Sequence, residues 1–184
     1  MFVDGILCVI MFLAVQAGQR AIFEETRLKF ADFVCFEAII PEFKAIDRNG
    51  VIAELVSALA NAGRLGSADW REILKAVIER EEEASTGMGK GVAVPHVKHN
   101  AVTDVVATVG LSATGIDFSA LDKQLVYSVI LLISPVDNPD KHLQVMENIF
   151  KHLQKDKFRK FLRQSQTAEQ IEDLLREADE EPSL

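Results

Sequence analysis

A chain of 184 residues is long enough for one well-packed domain and too short for two comfortable ones. With 48 % apolar and 26 % charged residues it has the composition of an ordinary globular protein. A net charge of −8, with no basic patch in the sequence, argues against a nucleic-acid-binding surface, because the phosphate backbone would be repelled.

An anionic ligand therefore needs a local site. The two cysteines, Cys8 and Cys35, have neither metal nor redox spacing, so a reduced, cytoplasmic setting is the default. Ile6 to Val15 is an unbroken apolar run too short to span a bilayer as a helix, so no stable membrane insertion is expected. It resembles the apolar core of a signal peptide, with Val15-Gln16-Ala17 as a cleavage-like end. No Lys or Arg precedes it, however, and Asp4 has the wrong sign. The preferred reading is that Met1 to Arg27 lies upstream of the true start, and the fold is argued from Leu28 onward.

Phe30 to Ile40 has little helical period and predicts a short helical turn, then an extended segment into Pro41. Asp47 is an N-cap for a helix to about Asn61, with Val51, Ile52, Leu55, Ala58 and Leu59 on one face and Gly63 closing it. Ser67 is expected to cap a second helix whose apolar side is Trp70, Ile73, Leu74, Val77 and Ile78. That helix runs into the charged string Glu79-Arg80-Glu81-Glu82-Glu83.

Ser85 to Gly91 then reads as a glycine-rich loop, in which alternate glycines let backbone N–H groups turn toward a common point and cradle an anion. Val92-Ala93-Val94-Pro95 is a short apolar strand that ends at His96. Val105 to Leu111 is a β-branched strand, and Thr114 to Phe118 reads as a turn. Leu125 to Ile133 is nearly all apolar and predicts a central strand buried on both faces.

Asn138-Pro139 starts a helix, an N-cap residue followed by Pro at the first helical position, with His142, Val145, Met146, Ile149, Phe150 and Leu153 inward. A short helix near Phe158–Arg163 follows. Thr167 and Gln170 form a capping box ahead of Ile171, Leu174 and Leu175. From Glu177 the sequence is acidic without apolar pattern, which predicts a frayed end. The whole predicts an α/β fold, a three-layer α/β sandwich with a mixed β-sheet flanked by helices on both faces. The folded domain is expected over 28–178, between an extra N-terminal segment, 1–27, and an acidic tail, 179–184.

Of the four histidines, His152 falls on the polar side of its helix and is expected in solvent, and His99 sits in a polar loop. His96 ends a buried strand beside the glycine loop. His142 lies in the first turn of a helix, where free N–H groups and the dipole favour an anion. Both belong to the crevice at the carboxyl ends of strands, the usual ligand position in an α/β sheet.

A histidine after a strand is more often structural than catalytic, and the glycine loop alone is weak. It is not a Walker A loop, since Lys90 is followed by Gly91, and it precedes a strand rather than a helix. Zinc held by His96, His99 and His142 lacks a carboxylate or base to complete the site, so no metal is expected.

The combination is more specific. Val77-Ile78-Glu79-Arg80-Glu81, Ser85-Thr86-Gly87-Met88-Gly89 and Val92-Ala93-Val94-Pro95-His96 resemble the signature of type-2 enzyme IIA of the bacterial phosphoenolpyruvate-dependent sugar phosphotransferase system, the mannitol, fructose and nitrogen-regulatory class. Gly115-Ile116-Asp117-Phe118, the apolar strand to Ile133, and Asn138 to Gln144 fit the same family in order and spacing, over about Lys29 to Ala178. One position departs. Relatives mostly carry a small residue, usually Gly, directly after the active histidine, where this chain has Val97.

The resemblance implies that His96 is the phosphorylated histidine, that Arg80 is the arginine near the phosphate, and that His142 is the second active-site histidine. Thr86, Gly87 and Gly89 are the expected phosphate-binding residues, with no cofactor. It implies a phosphohistidine carrier protein as donor and an enzyme IIB domain as acceptor, docking around Met88, Val97 and Phe118. The alternative is a stand-alone nitrogen-type enzyme IIA that controls target proteins through its phosphorylation state.

Overall fold

The computed structural model describes residues 28–66 and 69–181. The expected N-terminal segment of 1–27, Ser67 and the last three residues lie outside them.

The strand that organises the chain is β5, Val126–Ser134, numbered after β1 (Gly87–Gly89), β2 (Val92–Ala93), β3 (His96–Lys98) and β4 (Val106–Ile116). One edge of β5 pairs antiparallel with β4, from Val106 opposite Ile133 to Ile116 opposite Val126. The other edge pairs parallel with β2 and β3, end to end, so that Ala93 faces Val129 and His96 faces Leu132. The interruption between β2 and β3 is Val94-Pro95, where the proline has no N–H to give to a ladder. Its carbonyl still accepts from Leu132 N at 2.9 Å, so the two short strands continue one line. β1 closes that side as an antiparallel partner of β2.

Side chains of β5 alternate, as a pleated strand requires. Ile130 and Leu132 join a core with three helices, α3 (Pro139–Leu153), α4 (Asp156–Gln164) and α5 (Ala168–Glu180). Val129, Leu131 and Ile133 join the opposite core with α1 (Arg48–Asn61) and α2 (Trp70–Glu83). This is the expected three-layer sandwich around a mixed, five-stranded open sheet. The segment before Pro41 forms two 3₁₀ turns, Phe30–Asp32 and Phe36–Ala38, and touches β4 through parallel bridges at Val34 and Ile40.

Local signals predicted most helix ends. Asp47 accepts from Gly50 N, Asn138 from Lys141 N, and Thr167 from Gln170 N. At the last of these the Gln170 side chain returns to Gln166 N rather than to the cap residue itself.

Several expectations are corrected. The cap of α2 is Asp69, whose carboxylate accepts from Arg71 N. β4 runs through the expected turn to Ile116, because a bulge with Gly115 in the left-handed region and Ser112 Oγ accepting from Gly115 N lets the pairing resume. Phe118 is 0 % exposed in the core under α1 and α2 and cannot form a docking rim. His152 is 1 % exposed, with Nδ1 2.9 Å from Asn148 O and its ring against Phe30 and Phe158. α5 continues past Glu177 to Glu180. Asp179 anchors it by accepting from Phe30 N and Ala31 N, and burial pushes its carboxyl pKa up.

Candidate functional site

His96 is the first residue of β3, half-buried at the carboxyl end of the sheet. Its Nδ1 lies 2.9 Å from Val94 O, two residues back across Pro95. A carbonyl can only accept, so Nδ1 carries the hydrogen and the lone pair resides on Nε2. The local backbone thus selects one tautomer and leaves one nucleophilic nitrogen.

His142 comes from the first turn of α3, placed there by the Asn138-Pro139 start and by the length of the loop after β5. Its ring is tilted 47° to that of His96, with centroids 5.9 Å apart. His142 is 7 % exposed, and its Nδ1 lies 2.8 Å from Ser134 Oγ at the end of β5. The serine hydroxyl can donate to Nδ1, and in that arrangement Nε2 of His142 bears the hydrogen. Burial lowers the pKa of His142, and the neighbouring Lys98 and His96 push it the same way. It is therefore a neutral ring with one donor to offer.

That shift has a consequence for stability. The folded-state pKa of His142 lies below the unfolded value of about 6.5, so between the two the unfolded chain holds more protons and stability rises with pH. Urea unfolding across this window should show stability falling as pH drops below the unfolded value. His142→Gln should flatten that slope. An identical slope in the variant would remove the assignment.

Arg80 lies in the last turn of α2, the helix that packs on β3. Its Nη1 donates to Ala84 O at 2.9 Å, tying the guanidinium to its own helix end. It forms no hydrogen bond to either histidine ring.

The glycine-rich stretch is a tight hairpin rather than an open cradle. Gly89, Lys90 and Gly91 all have positive φ, the turn that joins β1 to β2. Two N–H groups of the stretch have side-chain acceptors: Gly87 N donates to Ser85 Oγ, and Lys90 N to Asp122 Oδ2. Gly87 faces Ala93, three residues before His96 and hence about 10 Å away along the strand. Gly89 thus serves the turn, and Gly87 lies in β1, where a Cβ would meet Ala120 at 2.8 Å.

Thr86 is nearer, with its carbonyl accepting from Val94 N, but its N–H and hydroxyl both donate to Glu81. Glu81 was given no role in the charged string that ends α2, and it is buried there. The signal was present in the spacing Ile73, Val77, Glu81, which puts a carboxylate on the buried face of α2. Ser134 was also missed, being the last residue of a strand that is mostly apolar. Among the described residues no cluster of three His, Cys, Asp or Glu side chains is placed to hold a metal ion, and no helix is long and apolar enough to cross a membrane.

Residues 34–178 match the family model "Phosphoenolpyruvate-dependent sugar phosphotransferase system, EIIA 2". The chain is 31 % identical over 141 residues to the "PTS system fructose-specific EIIA component" of Haloferax volcanii, covering 77 % of this chain and 90 % of that protein. Its fold is similar to that of the nitrogen regulatory protein IIA-Ntr from Neisseria meningitidis, with a TM-score of 0.71 at 22 % identity over 78 % of this chain and 97 % of that one. It is also similar to the IIAMtl structure in the complex of enzyme IIAMtl with phosphorylated enzyme IIBMtl from Escherichia coli. There the TM-score is 0.65 at 19 % identity, over 77 % of this chain and 95 % of that one. With the family model matching 34–178 and the sequence signature falling within those residues, the chain belongs to the EIIA 2 family of the phosphoenolpyruvate-dependent sugar phosphotransferase system.

Proposed function

We propose that the folded unit, 28–178, is a cytoplasmic phosphohistidine relay that accepts a phosphoryl group on Nε2 of His96 from a phosphohistidine carrier protein. It then passes the group to the cysteine of an enzyme IIB domain during sugar uptake. The observation that carries this reading is the hydrogen bond from Nδ1 of His96 to Val94 O, which leaves Nε2 as the free nucleophile beside a neutral His142.

In the transfer, the Nε2 lone pair attacks phosphorus while the donor's P–N bond breaks and its electron pair stays on the donor imidazole. Val94 O then faces the positive charge that develops on the His96 ring, still bonded to Nδ1–H. Charge spreads over three equatorial oxygens, so positioning and donors do most of the work. His142 Nε2–H is one donor, held in place by Ser134. The resulting dianion favours the protonated form of His142, opposing the effect of burial. In the onward step the thiolate of the IIB cysteine attacks, and the pair of the breaking P–N bond returns to Nε2. Met88, at 38 % exposure, and Val97 border the docking surface.

Arg80 is the second charged participant in this reading. Its fork can turn from Ala84 O to phosphate oxygens with a charge-assisted pair of hydrogen bonds. Arg80→Ala is expected to slow phosphoryl transfer roughly a hundredfold, the scale of losing one transition-state donor. Arg80→Lys should recover only part of it, because a point charge lacks the bidentate fork. Rapid-quench rates with the phosphorylated carrier check this, and an unchanged rate in Arg80→Ala removes Arg80 from the site.

The similarity to a nitrogen regulatory protein supports a second reading, in which the phosphorylation state of His96 switches binding to target proteins. The two are separated by labelling the chain from phosphoenolpyruvate through enzyme I and the carrier, then adding purified IIB domains. Loss of label to a IIB domain supports the relay. Retained label, with targets bound in one state only, supports the regulator. Wild type that takes no label defeats both.

A further inference from the structure

We propose that Glu81 is a positioning residue for phosphoryl transfer at His96, acting through Thr86 and Val94; this rests on the reading of His96 as the phosphoryl acceptor. The connection is continuous. Glu81 Oε1 accepts from Thr86 N at 2.9 Å, and Oε2 accepts from Thr86 Oγ1 at 2.6 Å. Thr86 O accepts from Val94 N at 3.2 Å. Val94 O accepts from Nδ1 of His96 at 2.9 Å. The carbonyl that selects the tautomer of His96 thus belongs to a residue held from both sides: by Thr86 at the N–H of Val94, and by Pro95 immediately after it.

Glu81 is 1 % exposed, and burying a carboxylate is expensive unless hydrogen bonds satisfy it. Among the described residues no lysine or arginine pairs with it. Arg80, its neighbour in sequence, donates to Ala84 O instead. Packing would be met by an apolar side chain continuing Ile73 and Val77 along α2, so the carboxylate is there for its two acceptors. Those acceptors hold Thr86, where the chain leaves α2 and enters β1 opposite Val94. Glu81 thereby locks the end of α2 to the strand that carries His96. The hydroxyl of Thr86 belongs to this strut rather than to the phosphate.

The test uses Glu81→Leu, Glu81→Gln and Thr86→Val, read by the ¹⁵N shifts of the His96 ring and by transfer kinetics from the phosphorylated carrier. In Glu81→Leu the Nδ1–H tautomer of His96 should lose its dominance. The kcat should fall roughly a hundredfold, the cost of a misplacement of about 1 Å, with KM unchanged because the docking surface is untouched. Glu81→Gln keeps an acceptor for Thr86 N and offers its amide to Oγ1, so it should restore both the tautomer and most of the rate. Thr86→Val removes one arm only and should fall between wild type and Glu81→Leu. If Glu81→Leu does not fold, Thr86→Val against Glu81→Gln carries the comparison.

A wild-type tautomer and kcat in the folded leucine variant, or in Thr86→Val where leucine does not fold, overturns the proposal and makes Glu81 a helix-end anchor. Wild type that takes no phosphoryl group overturns the functional reading on which it rests, while the tautomer shift still reports whether the strut exists.

Discussion

His96→Ala is expected to take no acid-labile phosphate from phosphoenolpyruvate, enzyme I and the carrier, under conditions where wild type is labelled to near one equivalent. The alanine variant loses Nε2 of His96, the nitrogen left with a free lone pair by the bond from Nδ1 to Val94 O. The other three histidines cannot substitute for it. His142 is buried against Ser134, His152 lies within the aromatic cluster of Phe30 and Phe158, and His99 Nδ1 accepts from Ala101 N in the loop after β3. Removing a covalent nucleophile leaves the donors around it without a reaction to assist, so the loss should be complete rather than graded. His142→Gln is the contrasting variant. It keeps the nucleophile and removes the ring donor, so labelling should be slowed and still reach completion. Label in His96→Ala equal to wild type would overturn the assignment, and ³¹P–¹⁵N coupling in wild type should place the phosphorus on Nε2.

The second large effect concerns stability. Gly110 sits in the middle of β4, opposite Val129 on β5 and beside the bridge to Ile40. A Cβ built there would fall inside the van der Waals surface of the Phe43 ring, against Cζ and Cε1, and 3.1 Å from Leu55 Cδ2. The ring cannot simply move aside. Phe43 N donates to Leu111 O at 2.9 Å, which fixes its backbone, and the side chain is buried among the residues of α1. Gly110→Ala must therefore overpack the core or expel the ring. Overpacking costs about 1–3 kcal/mol and the loss of a buried phenylalanine about 3–5 kcal/mol. The expected loss is at least about 2 kcal/mol in urea unfolding. Phe43→Leu in the same chain should recover part of it, since the shorter side chain vacates the space, and a double-mutant cycle measures that coupling. Purely additive costs would show that the two sites do not share this contact.

These cases separate what was readable along the chain from what was not. Asp47, Asn138 and Thr167 announce helix starts because a cap bonds to an N–H two or three residues away. The apolar run before Ile133 announces a strand buried on both faces, and β5 is that strand. His96 and His142 stood out because each adjoins an element end that the local sequence defines. His152 was misplaced because its helix also packs on α4 and the segment around Phe30, which widens the buried face beyond the apolar stripe. Phe118 was misplaced because the bulge in β4, which extends the strand into the expected turn, leaves no local apolar pattern. Glu81 was given no role because its partner, Thr86, lies beyond the end of its helix.

The amino-acid sequence by itself determined the element types, most caps, the layered α/β architecture and the two histidines, His96 and His142, on which the proposed chemistry centres. These follow from periodicity and from hydrogen bonds between near neighbours. The tertiary structure alone decided that the glycines form a hairpin, that Thr86 is bound to Glu81, and that Val94 O selects the tautomer of His96. It also brought His142 beside His96. Those facts depend on the register of β2 and β3 along β5 and on where α2 meets β1, and such register is set by the packing of both cores at once.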